Sequence, residues 1–311
     1  MRRAGRPGLS PLGQQVLDQY ERQLRTGEDL TAATIRNYLS DLHHFAGWYE
    51  SRCSLGREEA LAFRPEAITT PTITDYRAYL QQTLRLKPNS VNRALISLKR
   101  YFAWLLSTGH LKHDPAKVVK LVGEEVLAPR HLDDQEEQAL VAAVTESGSL
   151  RDRAIVVLLL HTGLRARELC TLTRAHVRLG KRSGTIWVLG KGNKYREIPL
   201  NATARAALLA YDPSLTKPSD DPTPLFLSEK RHTQLTGRGL GYLVQKYAER
   251  AHVRNVSPHA LRHRFGYRMA ASVPLHRLAQ LMGHDSLDTT MRYVQATTHE
   301  LQQDIERIAW R

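Results

Sequence analysis

The chain has 311 residues, and its 45 Lys and Arg residues against 31 Asp and Glu residues give a formal net charge of +14. This length accommodates two domains, and the 41% apolar and 24% charged fractions are typical of globular proteins, which excludes a disordered or collagen-like chain. The excess of positive charge favours a polyanionic partner, and nucleic acid is the commonest soluble polyanion.

Membrane insertion and export are not expected from the sequence. The longest unbroken apolar run, Ala154 to Leu160, is far shorter than the roughly 20 residues that span a bilayer, and the N-terminal segment lacks the apolar stretch of a signal peptide. The two cysteines, Cys53 and Cys170, form neither a disulfide framework nor a repeated metal-ligand spacing. We therefore expect a cytoplasmic protein, without membrane contact, whose thiols are buried.

The first part of the chain, residues 1–112, is predicted to form a small helical bundle. Thr31 is a suitable N-cap for one helix, and Ser90 is a suitable N-cap for another, which Gly109 would end. In both segments apolar residues recur every three to four positions, as on the buried face of a helix. They are Ile35, Leu39, Leu42, Phe45 and Tyr49 in the first helix and Val91, Leu95, Leu98, Phe102 and Leu105 in the second.

Positive charge is concentrated around the second of these helices. Eight cations and one acid lie between Arg85 and Lys120. A solvated helix face also carries charges, but the near absence of acids favours contact with phosphates. The residues predicted to contact nucleic acid are Lys87, Arg93, Lys99 and Arg100.

A linker and a second domain are predicted to follow. Residues 113–130 contain Pro115, Gly123 and Pro129 without clear periodicity, which is typical of a linker. In the second domain, residues 131–311, Asp133 and Glu136 have the spacing of a capping box. The acidic segment 131–137 could instead be the carboxylate cluster of a metal-dependent nuclease, but capping explains acids at a helix start. Residues 184–190 and 196–200 are predicted to pair as a hairpin, and the rest of this domain is predicted to be mostly helical.

Cofactor and metal motifs are not found in the sequence. There is no phosphate-binding P-loop, and Gly237 to Gly241 lacks the spacing of a dinucleotide fingerprint. His259 and His263 stand at i and i+4, as in a zinc protease, but Ala260 occupies the position where such an enzyme needs Glu. We therefore expect neither a bound metal nor a cofactor.

Three segments of the second domain carry residues suited to phosphate chemistry. Ser257 and Pro258 begin a helix that places His259 and Arg262 together near its N-terminus, where an anion is favoured. Arg165 follows a glycine turn and has Glu168 three residues on, which is also the spacing of an ordinary surface ion pair. His284 follows a helix that a glycine ends, and the next helix bears Tyr293. A tyrosine in that position is often part of a core, but its hydroxyl can also attack a phosphodiester.

Six residues occur in an order that resembles the active site of the tyrosine recombinase, or phage integrase, family. They are Arg165, Lys191 in the hairpin, His259 and Arg262 three residues apart, His284 and Tyr293. The resemblance covers nearly the whole chain and is greatest to Xer-type members with two domains. It implies a mainly α protein with a small antiparallel β-sheet, in which a helical, SAM-like core-binding domain precedes a mixed α/β catalytic domain.

The resemblance also implies a reaction that uses neither metal nor nucleotide. Tyr293 would cleave one DNA strand by transesterification, which leaves a 3′-phosphotyrosyl bond and a free 5′-hydroxyl. Arg165 and Arg262 would hold the scissile phosphate and stabilise the charge of its transition state.

The remaining residues of the resemblance would assist this reaction. Lys191 would protonate the leaving 5′-oxygen, although Lys194 on the same hairpin is an open alternative. His259 would assist proton transfer, and His284 would bind the phosphate. Glu168 and His263 would support the residues that contact the phosphate.

The expected partner is double-stranded DNA with a short inverted-repeat core site. The resemblance implies a homotetramer on two duplexes, alone or with a paralogous recombinase, that exchanges strands through a Holliday junction. The C-terminal segment 298–310 would dock on a neighbouring copy or pack on its own domain. Two other hypotheses stay open, a sequence-specific DNA-binding protein without activity and a DNA-relaxing enzyme of the type IB topoisomerase kind.

Overall fold

The computed structural model describes residues 8–26, 30–53, 62–123, 130–190, 195–217, 219–284, 287–291 and 293. The chain forms two compact units, Met1–Val126 and Leu127–Arg311. In the described part of the chain, no helix has the length and apolar character needed to cross a bilayer.

The first unit is a helical bundle with an aromatic core. Its helices are α1 Pro11–Thr26, α2 Ala32–Cys53, α3 Thr70–Ala78, which continues as a π-helical turn Tyr79–Thr83, and α4 Pro88–Ser107. Fully buried aromatic rings fill the centre, with Phe45 packed edge to face against Tyr76 at a centroid distance of 4.9 Å. Such rings bury large apolar areas, so a few of them hold the short helices together.

The predicted helix starts in this unit are confirmed at one position and wrong at another. Thr31 caps α2, because its Oγ1 accepts from the Thr34 N–H at 3.2 Å. Ser90 does not cap α4, which begins two residues earlier at Pro88 with Lys87 as N-cap. Proline is favoured at the first helical position because it lacks the N–H that would go unbonded there. Gly109 follows the helix with a φ of +75°.

The first part of the segment predicted as a linker packs on the first unit. Ala116 and Val119 are buried in its core. Lys99 of α4 donates to the carbonyls of Ala116 and Lys117 at 2.8 and 2.9 Å, and Asn92 exchanges hydrogen bonds with the backbone of Val122. Residues up to 123 are therefore held as part of the first unit.

The second unit is mostly helical with one small sheet. Its helices are α5 Asp134–Glu146, α6 Leu150–Thr162, α7 Ala166–Cys170, α8 Ala202–Tyr211, α9 Gly237–Arg250, α10 Pro258–Ala270, α11 Leu275–Met282 and α12 Leu287–Met291. The predicted capping box at α5 is confirmed, because Asp133 and Glu136 bond each other's backbone N–H groups at 2.8 and 3.1 Å. The apolar run of α6 is buried at the centre of this unit.

The sheet has three antiparallel strands in the order β1 Val177–Leu179, β2 Gly184–Leu189 and β3 Tyr195–Pro199. β2 and β3 pair with Ile186 opposite Ile198, which confirms the predicted hairpin. β1, which the sequence analysis missed, pairs with β2 through Val177 opposite Ile186. It is only three residues long, too short for its alternation of buried and exposed residues to stand out.

A glycine at the end of α6 sets the direction of the chain that enters the candidate site. Gly163 has a φ of +61°, and a Cβ there would overlap the ring of Phe265 in α10. We expect Gly163→Ala to destabilise the protein by at least about 1 kcal/mol more than Gly148→Ala, because both glycines have a positive φ but, of these two, Gly163 also has a clash at the added Cβ.

Gly148 is a matched control, since its φ is +71° but a Cβ there would meet open space. Equilibrium unfolding of the two variants gives the difference directly. Equal losses of unfolding free energy would contradict the close packing of α6 on α10.

Candidate active site

Three chain turns bring the candidate residues together in the second unit. Gly163 ends α6 and leads to Arg165, which is the N-cap of α7. Ser257 caps α10 by accepting from the Ala260 N–H, as predicted, with Pro258 in the first turn. Gly283 ends α11 with a φ of +63° and leads to His284. The site is therefore built at helix ends, where the backbone groups left unbonded within a helix can bind side chains.

Arg262 is the central buried group of this site. Its side chain donates from Nη1 to the Gly163 carbonyl and from Nη2 to the Met282 carbonyl at 2.7 Å. These two bonds join the ends of α6 and α11 to α10. Burial, together with the positive charge of Arg165, lowers the pKa of Arg262 to about 10. The residue is still charged at neutral pH, and a nearby anion would relieve the repulsion between the two arginines.

His284 continues this arrangement on the other side of Arg262. The Nη2 of Arg262 lies 2.9 Å from His284 Nε2, and His284 Nδ1 lies 2.7 Å from the hydroxyl of Thr290. Because a guanidinium can only donate, Nε2 must accept, so neutral His284 carries its proton on Nδ1 and donates it to Thr290. Thr290, which is fully buried, thereby fixes the imidazole next to Arg262.

Glu168 fixes two arginines at once and is itself only 7% exposed. It accepts from Arg165 Nη1 at 2.9 Å and from the Arg165 backbone N–H at 2.8 Å. Arg196 on β3 donates two hydrogen bonds to the same carboxylate, at 2.8 and 2.9 Å. Arg165 also donates from Nη2 to the Gly283 carbonyl, and its side chain stays 42% exposed. Arg165 therefore has a fixed orientation and an exposed surface that an anion can reach.

The Glu168 carboxylate is held in its charged form by these partners. Burial alone would raise the pKa of Glu168, but the hydrogen bonds and charges of Arg196 and Arg165 outweigh it and lower the pKa below the usual 4.5. Because the pKa of Glu168 is lower in the folded than in the unfolded protein, its charged form stabilises the fold at pH values above the unfolded-state pKa. This contribution is lost as the pH falls through the folded-state pKa.

We therefore expect Glu168→Gln to lower the free energy of unfolding most at neutral pH, with a difference from the wild type that shrinks below about pH 4.5. Urea unfolding at a series of pH values measures this difference. Glu249→Gln, which changes an exposed carboxylate of α9, is the control and should change the free energy of unfolding by no more than about 0.5 kcal/mol. A Glu168→Gln difference that stays constant into acid would contradict the ion-pair assignment.

Tyr293 lies in a small apolar cluster with Phe265, Leu278 and Met282, and is 5% exposed. Its backbone N–H bonds the Thr290 carbonyl in a turn just beyond α12, so the prediction that the last helix bears it was wrong by two residues. The Tyr293 N–H bonds the carbonyl three residues earlier, as in a turn, and not the carbonyl four residues earlier, as in a continued α-helix.

The ring of Tyr293 is enclosed on three sides. The ring of His284 stacks on it at a centroid distance of 6.2 Å, and Tyr267 meets it edge to face at 5.3 Å. A Cβ on Gly266 would come within 2.8 Å of the ring, so only glycine leaves room for it. The Tyr293 hydroxyl lies 2.9 Å from His263 Nδ1.

The two histidines of α10 have different surroundings. His263 is 5% exposed and contacts the Tyr293 hydroxyl. His259 is exposed, and its ring meets that of His263 edge to face at 4.2 Å. The structure thus brings Arg165, Arg262, His284 and the tyrosine together, with His259 at the exposed edge.

Some predicted residues lie outside the described part of the chain. Lys191 and Lys194 are among them, as is the C-terminal segment 298–310. Their predicted roles stay predictions.

Arg196 is a site residue that the sequence analysis missed. It donates to Glu168, and a Cβ on Gly283 would come within 2.7 Å of its guanidinium. The sequence does contain a feature that indicates this role. Arg196 stands two residues before the buried Ile198 on β3, and alternate residues of a strand share one face, so Arg196 lies on the inward face. A charged residue on an inward face needs an internal partner.

The acidic segment at the start of α5 is engaged in caps and ion pairs. Arg264 of α10 bonds Asp134 and Glu137, and Arg268 bonds Glu137 at 2.6 Å. Within the described ranges, no group of three His, Cys, Asp or Glu side chains is placed to hold a metal ion.

The predicted nucleic-acid contacts of the first unit differ in their environment. Arg93 pairs with the buried Asp41 at 2.9 Å while its side chain stays 52% exposed. The guanidinium of Arg100 lies over the ring of Tyr38, at 5.2 Å. Lys87 is exposed, whereas the ammonium of Lys99 donates hydrogen bonds to the carbonyls of residues 116 and 117. Lys99 therefore has a structural role in addition to any contact with a partner.

Each of the two units matches a known protein family. Residues 130–300 match the phage integrase family, and residues 16–109 match the N-terminal SAM-like domain of phage integrases. The chain belongs to the phage integrase family. Its relatives include the tyrosine recombinase XerC of Myxococcus xanthus, which is 34% identical over 95% of this chain and 96% of the relative. The tyrosine recombinase XerD of Listeria innocua is 29% identical over 91% and 94%.

The similarity to Xer-type members of the family is thereby confirmed, and the chain is a site-specific tyrosine recombinase. Solved structures confirm the fold. The Tn1549 transposon integrase in complex with transposon right end DNA matches with a TM-score of 0.74 at 18% identity, over 94% of this chain and 99% of that one. The XerH recombinase bound to its difH substrate matches with a TM-score of 0.69 at 20% identity, over 93% and 83%. The predicted class, a SAM-like helical unit followed by a mainly helical unit with a small sheet, is correct.

Proposed function

We propose that this recombinase cleaves and rejoins double-stranded DNA through a 3′-phosphotyrosyl intermediate on Tyr293. The observation that carries the proposal is the placement of the buried Tyr293 near Arg262, which itself lies near Arg165. The positions of the two arginines are fixed by backbone carbonyls and by Glu168. Two arginines held this close repel each other. The phosphate of the transition state, which carries two negative charges, would attract both of them and offset this repulsion.

In this mechanism the fixed cations stabilise the pentacovalent phosphate. Arg165 presents its exposed side to one oxygen, while Arg262, which the Gly163 and Met282 carbonyls and His284 hold in place, provides donors that need no rearrangement of the surrounding backbone. Tyr293 gives its hydroxyl proton to a histidine of α10 as Oη bonds to phosphorus, and the bond between phosphorus and the 5′-oxygen breaks. Lys191 or Lys194 supplies the proton to the leaving oxygen. Cleavage exchanges one phosphate ester for another, so the free 5′-hydroxyl can displace Tyr293 and rejoin the strand without a nucleotide cofactor.

The first unit would bind the duplex around the cleavage point through its cationic helix α4. We expect Arg93→Ala and Arg100→Ala each to weaken DNA binding and to reduce the slope of log affinity against log salt by about 1, because each removes one phosphate contact. Arg25→Ala on α1, whose guanidinium pairs with Glu21, is the control and should leave the slope unchanged. Fluorescence anisotropy at a series of salt concentrations measures the slopes. An unchanged slope for both α4 variants would assign these residues to a solvated face.

The proposal includes the assembly in which strand exchange takes place. Four copies of the chain would bind two duplexes at short inverted-repeat sites and exchange strands in pairs through a Holliday junction. The relatives XerC and XerD support a recombinase of this type. The two well-separated cysteines agree with action in the reducing cytoplasm.

Capture of covalent protein–DNA adducts tests the proposal. The protein is incubated with DNA from its source genome, denatured, and the attached DNA ends are sequenced, with Tyr293→Phe as control. Adducts at one short inverted-repeat site that are absent from the control are the expected result. Adducts scattered over the genome would indicate a relaxing enzyme of the topoisomerase kind, and binding without any adduct would indicate a DNA-binding protein without activity.

A further inference from the structure

The hydroxyl of the proposed nucleophile is bonded to a histidine other than the one expected to move its proton. His263 Nδ1 lies 2.9 Å from Tyr293 Oη, within hydrogen-bond distance. His259, which the family resemblance assigns to proton transfer, contacts His263 ring to ring and is exposed. The structure therefore joins the reacting oxygen directly to His263.

We propose that His263 is a catalytic residue that accepts the Tyr293 proton during strand cleavage. The inference rests on the proposed role of Tyr293 as nucleophile. The Oη–H bond of Tyr293 breaks and its proton moves to His263 Nδ1, while Oη forms the bond to phosphorus. The bond to the 5′-oxygen breaks, and that oxygen takes a proton from the general acid on the hairpin. On rejoining, His263 returns its proton to Oη.

The surroundings of His263 fit this role. The imidazole is 5% exposed, so its contact with the hydroxyl is sheltered from competing water. To accept from Oη, neutral His263 must carry its own proton on Nε2, and the lone pair of Nδ1 is then the acceptor. The close approach of Gly266 and the stacked ring of His284 hold the phenol ring in place, so the hydroxyl and Nδ1 stay aligned. A base within hydrogen-bond reach of the proton it removes is the geometric requirement for general-base catalysis.

Other titratable and charged groups lie near this pair and bear on its pH dependence. On α10 itself and around the tyrosine they are His259, Tyr267, Arg262 and His284. From the helices packed against α10 they are Asp134 and Glu137, which pair with Arg264 and Arg268, and His161 at the end of α6. His263 Nδ1, at 2.9 Å, lies within hydrogen-bond distance of the Tyr293 hydroxyl.

The first test separates proton transfer from positioning. His263→Asn keeps an acceptor oxygen near the position of Nδ1 but cannot take a proton at neutral pH, and His259→Asn is the matched variant one turn earlier. Single-turnover formation of the covalent adduct is measured between pH 6 and pH 9.5 on a duplex carrying the captured site, or on sheared genomic DNA if no single site emerges. We expect His263→Asn to slow cleavage by about 10²-fold or more at pH 7.

The shape of the pH profile decides the outcome. The His263→Asn rate should rise about tenfold per pH unit, because only the small fraction of phenolate reacts, whereas wild type and His259→Asn should level off. A His263→Asn profile parallel to that of the wild type would overturn the proposal, as would an unchanged rate. A new slope in His259→Asn alone would overturn it in favour of His259. Absence of any adduct with the wild-type protein would contradict the proposed function instead.

The second test needs no DNA and compares two proteins that both keep His263. In the free protein with ¹⁵N-labelled histidine, Tyr293→Phe removes the hydroxyl that bonds Nδ1. The His263 ring signals, assigned by their loss in His263→Asn, should shift in this variant. Unchanged His263 signals would overturn the proposal, whatever the DNA experiments give.

Discussion

Replacing Tyr293 with Phe is expected to reduce covalent adduct formation by more than about 10⁴-fold, because in the proposed mechanism the phenol oxygen forms the bond to phosphorus. DNA affinity should stay within about twofold, since Phe keeps the ring that packs against Gly266, Tyr267 and His284. The stability cost should be roughly 1 kcal/mol, which is the hydrogen bond lost at His263. Adducts are measured on denaturing gels, and affinity is measured by anisotropy.

Tyr267→Phe is the matched control for this substitution. Tyr267 contacts the ring of Tyr293 edge to face. Tyr267→Phe removes one phenol hydroxyl, as Tyr293→Phe does. We expect it to retain adduct formation. Adduct at the wild-type level in Tyr293→Phe would assign the nucleophile to another residue, and equal losses in both variants would attribute the effect to packing.

Arg262→Lys is the second substitution for which we expect a large effect. Lysine keeps the charge but lacks the planar fork that bonds the Gly163 and Met282 carbonyls and His284 together. At least one buried carbonyl loses its donor, so we expect a loss of about 2–4 kcal/mol in unfolding free energy. The cleavage rate of the folded variant should fall by about 10²–10³-fold, as when a preorganised transition-state donor is removed.

Arg268→Lys, on the same helix, is the control for that experiment. Its side chain is 50% exposed and bonds Glu137. It should leave both the cleavage rate and the unfolding free energy nearly unchanged. Wild-type cleavage by Arg262→Lys, under conditions where it is folded, would show that the buried guanidinium acts only as a structural link between helices.

The parts of the fold that could be predicted from sequence are those fixed by local chemistry. The caps at Thr31, Asp133 and Ser257 depend on side chains that bond backbone groups within three residues, and all three are confirmed. The start of α4 was misplaced because two local signals competed, and Pro88 prevailed over Ser90.

The site was predictable in its residues but not in its contacts. The order of Arg165, Arg262, His284 and Tyr293 along the chain indicated a family, and the structure brings the four together. The bond between His263 and Tyr293 joins residues 30 positions apart, so it depends on how Tyr293 packs against α10. The same holds for Arg196 and Glu168, which lie 28 positions apart.

Mass spectrometry of the covalent adduct tests the central claim most directly. The captured adduct is digested with nuclease and protease, and the peptide that carries the remaining nucleotide is sequenced. The proposed mechanism predicts a nucleotide joined through its 3′-phosphate to Tyr293. A nucleotide on any other residue, or one joined through a 5′-phosphate, would contradict it.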